Sequence, residues 1–244
     1  MKEFGILGLL ISFCFLLCSC EKTTEVEPLP TSAPTSFEFE VESTPNATDF
    51  EEYESFNYEI PSKVLQLVLV TADGSDADIM FYEKNFDGSW IENKNLTTKG
   101  FVGTEGVGEM REGFAATPAG LFPITEAFYI DKSLETGLDS FKITEETYWI
   151  DDPESKFYNQ RVEGTENKDW NSAEHMSSSP QSYECGFVIG YNIEQTPGAG
   201  SAVFFHVIGR VKSEGCVVVA KEDCYEYLRM LDKNKNPYVL IMAK

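Results

Sequence analysis

Short apolar segments, separated by Gly, Asp, Asn and Pro, dominate the chain after residue 60. Segments of this length bounded by turn-forming residues are typical of β-strands, since helices need longer periodic stretches. The predicted strands span 64–70, 79–82, 120–124, 147–150, 187–191, 202–207, 216–219 and 238–242. The sequence therefore predicts a mainly β domain over residues 61–244.

One segment has helical periodicity instead. Over residues 221–231, Cys224, Tyr227, Leu228 and Leu231 recur at i, i+3, i+4 and i+7, which places them on one helix face. No internal repeat and no glycine-rich phosphate loop is visible in the sequence. Nucleotide chemistry is therefore not expected.

The N-terminus predicts export. An apolar run at residues 4–17 is too short to span a bilayer, so residues 1–19 are predicted to be a signal peptide. The run ends in Leu-Cys-Ser-Cys, which resembles the bacterial lipobox, where the last cysteine is lipidated after cleavage. Cys20 is thus predicted to anchor an extracytoplasmic lipoprotein to the cell membrane. An ordinary secretory signal with an incidental cysteine is the alternative.

Residues 20–60 are rich in Thr, Ser, Pro and Glu and have few residues able to build a core. This composition predicts a flexible acidic tether that extends by self-repulsion, or merely a solvated spacer. The net charge of the chain is -22, which disfavours binding to phosphates. We therefore expect neither nucleic acid nor anionic lipid as a partner.

The cysteine count bears on which thiol is free. Of six cysteines, signal cleavage and lipidation of Cys20 would leave Cys185, Cys216 and Cys224, an odd number in an oxidising compartment. A Cys185–Cys224 bridge would leave Cys216 unpaired. Sequence spacing does not decide whether the geometry allows that bridge.

His206 and Cys216 suggest a catalytic pair. A cysteine nucleophile needs a thiolate, which an adjacent imidazole stabilises by taking the proton. The apolar run 202–205 predicts a buried strand that carries His206, and Gly215 allows a tight turn before the thiol. Amides near Gly215 and Cys216 are candidates for an oxyanion hole, and the Val207 carbonyl for orienting the ring. Taken singly, His206 would more often be a core histidine and Cys216 a buried small hydrophobe.

The order of several motifs resembles the YkuD-type L,D-transpeptidases, whose signature is a histidine upstream of Ser/Thr-x-Gly-Cys. Here that signature is His206 followed by Ser213, Gly215 and Cys216. Further matching segments are Thr117-Pro118-Ala119-Gly120-Leu121-Phe122, Trp170, Ser172-Ala173-Glu174-His175, Tyr183, Val188-Ile189-Gly190-Tyr191-Asn192 and Gly198-Ala199-Gly200-Ser201.

The resemblance implies a β-sandwich or barrel with one or two short helices, in which Cys216 attacks the amide between the third and fourth residues of a peptidoglycan stem tetrapeptide. D-Alanine would leave, and an amine of a second stem, or water, would resolve the thioester. No cofactor and no metal is implied. His206 would be the base and Ser213 a supporting residue, with His175, Tyr191 and Asn192 as candidates for substrate binding.

Two positions depart from the common family pattern: Glu214 replaces a frequent histidine and Val218 a frequent arginine. Arg210, Lys212 and Arg161 are the candidates for binding a stem carboxylate instead, although solvated surface charge is the commoner role of such residues. Two other functions stay open. One is an inactive peptidoglycan-binding lipoprotein, and the other is a sortase-like transpeptidase, which usually relies on a downstream arginine. A zinc site fits the Cys and His spacings poorly.

Overall fold

Sixteen strands and one α-helix make up the part of the chain that the computed structural model describes, residues 52–53, 58–131, 133–209 and 213–244. These residues belong to one compact unit, Ser43–Lys244. The strands are β1 Glu52–Tyr53, β2 Gln66–Asp73, β3 Asp76–Lys84, β4 Trp90–Glu92, β5 Thr98–Phe101, β6 Val107–Gly108, β7 Thr117–Pro118, β8 Gly120–Tyr129, β9 Ser140–Lys142, β10 Thr147–Ile150, β11 Arg161–Glu163, β12 Ala173–His175, β13 Cys185–Ile189, β14 Phe204–Val207, β15 Val217–Val219 and β16 Tyr238–Ala243. The helix α1 spans Lys221–Met230, and short 3-10 helices span Lys94–Leu96, Met176–Ser178 and Lys233–Lys235.

The largest sheet closes on itself. Its strands pair in the order β3, β2, β16, β8, β13, β14, β15 and β5, and β5 pairs back with β3. Most of these pairs are antiparallel, but β14 and β15 run parallel, as do β2 and β16. A closed ring leaves no open edge among its members, which is the usual advantage of a barrel.

Strand alternation divides the apolar side chains between the two faces of the barrel. On β14, Phe205 and Val207 join the largest core cluster, whereas Phe204 belongs to a different cluster. The largest cluster takes side chains from strands all around the ring, so it fills the inside of the barrel. Tyr227 and Leu228 of α1 are fully buried in this same cluster.

A second sheet has the strand order β11, β10, β12. It packs on the outer face of the barrel. Trp149 of β10 packs against Phe204 at 5.0 Å between ring centroids, within an aromatic cluster outside the main core. The half-buried Cys216 packs against this outer cluster. The candidate site therefore lies on the outer face of the barrel, under the small sheet and its loops.

The predicted mainly β fold is confirmed, and the barrel form of its large sheet agrees with the expected sandwich or barrel. Each predicted strand overlaps an observed one, and the predicted helix 221–231 corresponds to α1, Lys221–Met230. The strand expected at 216–219 begins at Val217. Cys216 therefore lies in the turn that precedes β15.

Candidate active site

His206 lies on β14, and Cys216 immediately precedes the neighbouring parallel strand β15. In the register of β14 and β15, His206 lies beside Val218, and Phe205 lies beside Val217. One step further back along both strands, the Phe204 amide donates a hydrogen bond to the Cys216 Sγ at 3.3 Å. Because side chains alternate along a strand, Phe204, His206, Cys216 and Val218 share one face. The two chemical groups predicted from the sequence thus lie on the same side of the sheet.

The Cys216 thiol is held in a largely apolar setting. Its Sγ donates to the Ala202 carbonyl at 3.3 Å and accepts from the Phe204 amide. Burial raises the pKa of this thiol to about 12, with smaller contributions from the charges of Glu174 and Glu214, while the Phe204 N–H acts in the opposite direction. At neutral pH the thiol is therefore protonated.

The His206 imidazole is also neutral. Its Nδ1 lies 2.8 Å from the Val207 carbonyl oxygen, the contact expected from the sequence. A carbonyl oxygen only accepts hydrogen bonds, so Nδ1 carries the proton of the neutral ring and Nε2 is the basic atom. Burial lowers the pKa of His206 to about 4, against the opposing effect of hydrogen bonds to the Val207 and Ser182 backbone.

The resting pair thus consists of a thiol and a neutral imidazole, whereas the sequence suggested a preformed thiolate and imidazolium. Burial disfavours both charged forms, and the carboxylates nearby further disfavour the thiolate. Within the described ranges, no hydrogen bond joins the thiol to the imidazole. A nucleophilic attack by this thiol would require its proton to be transferred in the same process.

The turn from Ser213 to Cys216 is fixed by side-chain hydrogen bonds. Ser213 Oγ donates to the Cys216 carbonyl at 2.6 Å and accepts from the Gly215 amide at 3.0 Å. Thr117 Oγ1 donates to the Gly215 carbonyl at 2.8 Å. Ser213 therefore supports the turn, the role proposed for it. The Gly215 N–H is occupied by Ser213, which leaves the Cys216 N–H as the candidate oxyanion donor of this turn.

Gly215 is required by its backbone geometry. Its φ of 152° lies in a region that side chains rarely adopt. A Cβ at this position would also lie 3.2 Å from the Ala116 carbonyl oxygen. The turn that presents the thiol thus depends on glycine, as the sequence predicts.

A cavity of about 530 Å³ opens in front of His206 and Cys216. Four carboxylate residues line it, namely Glu112, Asp151, Glu174 and Glu214, whereas Arg111 is the one lysine or arginine among the described lining residues. The Oδ1 atom of Asp151 is buried and has no hydrogen-bond partner in the described part of the chain. The cavity is therefore markedly acidic around its nucleophile.

Glu112 is tied to the wall of this cavity. Tyr158 donates a short hydrogen bond to its Oε2, and Ser201 Oγ lies 3.1 Å from the same oxygen. The Tyr158 hydroxyl in turn accepts from the Gly200 amide at 3.0 Å. Burial raises the pKa of Glu112 in spite of these donors. The network fixes the loop that carries Glu112 against residues 200–201.

His175 does not line the cavity that holds Cys216, and its predicted role in substrate binding stays a prediction. Its ring stacks on Tyr148 at 4.5 Å, and its nitrogens contact the Glu145 carbonyl and the hydroxyls of Ser177 and Ser178. These are local structural contacts. The neighbouring Glu174 points to the cavity instead, because adjacent residues of a strand face opposite sides.

Tyr191 and Asn192 are likewise outside the Cys216 cavity. The Tyr191 hydroxyl donates to the Ala199 carbonyl at 2.6 Å, and Asn192 Nδ2 donates to the Gly200 carbonyl at 2.9 Å. Both residues line a separate cavity of about 440 Å³. Both residues stabilise the loop that follows β13, and their predicted contact with substrate stays a prediction that this cavity does not support.

The candidate cations lie elsewhere or are not described. Arg161 forms an ion pair with Glu163 at 3.0 Å and lies over the Phe141 ring, away from the cavity lining. Arg210 and Lys212 lie outside the described residues, as do the predicted signal peptide and Cys20. Val218 lines the cavity but is 2% exposed, so it contributes little surface to a ligand.

The two other cysteines in the described ranges, Cys185 and Cys224, are free thiols. Cys185 and Cys224 are buried, and Cys224 Sγ donates to the Cys185 carbonyl at 3.4 Å. The bridge considered from the sequence is thus absent, although the two residues are neighbours.

Across the described ranges, no group of three or more His, Cys, Asp or Glu side chains is arranged to hold a metal ion. Nor does any helix in these ranges have the length and apolarity needed to cross a bilayer.

No protein-family model matches the chain, and no curated protein matches it. Among solved structures, the chain is similar to the helical cell shape determining protein Pgp2 from Campylobacter jejuni, with 14% sequence identity and a TM-score of 0.43. The similarity covers 74% of this chain and 48% of that one, so the chain spans about half the length of this neighbour. A likeness of this extent assigns neither a family nor an activity.

Proposed function

We propose that the protein is a cysteine-dependent L,D-transpeptidase that acts on peptidoglycan stem tetrapeptides. The observation that carries this proposal is the placement of His206, on β14, and Cys216, directly before the parallel strand β15, at the wall of one cavity. The motif resemblance around His206, Ser213 and Cys216 suggests the substrate class. Export and a lipid anchor on Cys20 belong to the same proposal.

The chemistry starts from the neutral pair. As Cys216 Sγ attacks the carbonyl carbon between the third and fourth stem residues, its proton passes to Nε2 of His206. The same Nε2 then donates the proton to the nitrogen of the departing D-alanine, and a thioester remains on Cys216. An amine of a second stem, or water, attacks the thioester while His206 takes up its proton, and the thiol is restored.

The structure supports distinct roles for the residues around this reaction. The Val207 carbonyl accepts from Nδ1 and fixes the tautomer in which Nε2 is the basic nitrogen. Ser213 and Gly215 fix the position of the sulfur through the turn.

The proposal is tested with the full chain, wild type and Cys216→Ala, incubated with purified tetrapeptide muropeptides. Mass spectrometry then measures released D-alanine and cross-linked dimers. We expect both products from the wild type and neither from Cys216→Ala. D-Alanine release without dimers would indicate carboxypeptidase action through the same thioester. An unchanged substrate with folded wild-type protein would contradict the proposal.

One observation favours a second candidate, a peptidoglycan-binding module without chemistry: both groups of the pair are neutral at rest and share no hydrogen bond. Binding of tetrapeptides with equal affinity by wild type and Cys216→Ala, without products, would support it. The sortase-like alternative is less consistent with the structure. Arg229 of α1 pairs with Glu226 and Glu135 at the surface and does not line the Cys216 cavity.

A further inference from the structure

Glu174 and Tyr183 form a hydrogen-bonded pair beside the candidate catalytic residues. In the register of β10 and β12, Glu174 lies opposite Trp149, which packs on Phe204 at 5.0 Å. The Tyr183 hydroxyl donates to Glu174 Oε2 at 3.2 Å. Both side chains line the cavity that holds the thiol. Neither residue has a role in the chemical steps described above.

Tyr183 contacts His206 directly and also packs on Phe204, the residue whose backbone holds the thiol. Its ring centroid lies 5.2 Å from that of His206, with the planes tilted by 60°, and 5.8 Å from that of Phe204. The backbone amide of Phe204 is the group that donates to the thiol. Since Tyr183 is only 7% exposed, it fills the space beside the imidazole and restricts the orientation of that ring.

Glu174 adds a negative charge to the same cluster. Burial raises the pKa of this carboxyl, which the Tyr183 hydroxyl lowers in part. The charge of Glu174 opposes thiolate formation at Cys216. The other charged groups facing the cavity are Arg111 and Glu112 from the loop before β7, Asp151 after β10, and Glu214 beside the thiol.

We propose that Glu174 and Tyr183 are positioning residues of this site: Tyr183 fixes the imidazole of His206, and the charge of Glu174 opposes premature ionisation of Cys216. The inference rests on the proposed function for its chemical meaning. The packing of His206 and the ionisation of Cys216 that it describes are properties of the protein without substrate. A thiol kept protonated is a poor target for oxidants, which suits a nucleophile that ionises only during attack.

The Glu174 part is tested by alkylating Cys216 with iodoacetamide in the full chain, with mass spectrometry of the peptide that contains Cys216. Sulfur displaces iodide and loses its proton, so the rate follows the thiolate fraction. We expect Glu174→Gln to raise the rate at pH 8 about 3- to 10-fold and to move the pH profile toward acid. Glu194→Gln removes an exposed charge away from this cavity and serves as the matched control. An unchanged or slower rate in folded Glu174→Gln would overturn the proposal.

The Tyr183 part is tested by NMR titration of the histidine ring protons. The chain has two histidines, so a His206→Asn sample assigns the signals. We expect Tyr183→Leu to move the His206 titration by about one unit or more toward its ordinary value, because water reaches the ring, whereas Tyr183→Phe retains the low value. Equal titrations in wild type and folded Tyr183→Leu would overturn the role of the ring. Neither assay needs turnover, so each result is separable from failure of the proposed function.

Discussion

Because the His206 imidazole is buried in its neutral form, the protein should lose stability in acid by an amount that can be calculated. The pKa of His206 falls from 6.5 to about 4 on folding, and the residue is 8% exposed. As the pH falls below 6.5, the unfolded chain takes up this proton before the folded chain does, so folding loses stability between pH 6.5 and pH 4. Relative to neutral pH, the loss from His206 alone is about 2 kcal/mol at pH 5 and about 3 kcal/mol at pH 4.

His206→Asn isolates this contribution, since the new side chain cannot titrate but keeps one donor for the Val207 carbonyl. Urea unfolding followed by tryptophan fluorescence at pH 7.5, 5 and 4 gives the free energy of unfolding for both proteins. Other titrating groups, including Glu112 and Glu174 with their raised carboxyl pKa values, contribute almost equally in the two proteins. Their effects therefore largely cancel when wild type and His206→Asn are compared. We expect the wild type to lose more stability than His206→Asn by the amounts above. Equal losses in the two proteins would refute the neutral buried imidazole.

Three further substitutions test the fold and the site. Thr117→Val removes a buried hydroxyl that accepts from the Gly103 amide and donates to the Gly215 carbonyl, so urea unfolding should show a loss of about 1–3 kcal/mol, and no loss would contradict this contact. Leu228→Ala leaves a cavity at a fully buried position of α1, so the free energy of unfolding should fall by about 2–5 kcal/mol in the same assay. An unchanged free energy of unfolding would contradict this packing. His175→Gln should leave the rate of D-alanine release within about twofold of wild type, because His175 does not line the cavity. A tenfold loss would indicate that His175 acts in substrate binding or catalysis.

The longer strands and the helix could be predicted because their apolar periodicity is local. The shorter strands could not, since segments such as β5 Thr98–Phe101, β9 Ser140–Lys142 and β12 Ala173–His175 have few apolar residues and become strands by pairing with distant partners. The closure of the barrel depends on one such segment, β5. This strand pairs with β3 and β15, and β15 lies more than one hundred residues away in the sequence. A local sequence pattern therefore cannot predict the pairing.

The same distinction applies to the site. His206 and Cys216 could be predicted because their motif is local, while Glu112, Glu174 and Tyr183 reach the cavity from separate elements. The sequence signal for Glu174 was present, since it adjoins His175 in a segment that already stood out. Choosing between these neighbours requires the register of β12, which decides the side each residue faces.

The ionisation state of the pair could not be predicted from residue types. A thiol and an imidazole in water are both mainly neutral at pH 7, and only a close pair in a suitable environment ionises; burial here shifts each group further toward its neutral form. The depth of the pair below the surface and the carboxylates around it are tertiary properties. The resulting site combines a protonated thiol with a weakly basic imidazole, so the proposed function requires proton transfer to be coupled to the attack.

The central claim, that Cys216 forms a thioester with a stem peptide, is tested most directly by intact-mass measurement. The full chain is mixed with a tetrapeptide muropeptide, quenched in acid after short times and analysed together with Cys216→Ala. We expect a wild-type species heavier by the muropeptide less D-alanine, located on the peptide that contains Cys216 and absent from Cys216→Ala. Release of D-alanine with no adduct at any time, or an adduct that persists in Cys216→Ala, would contradict the account.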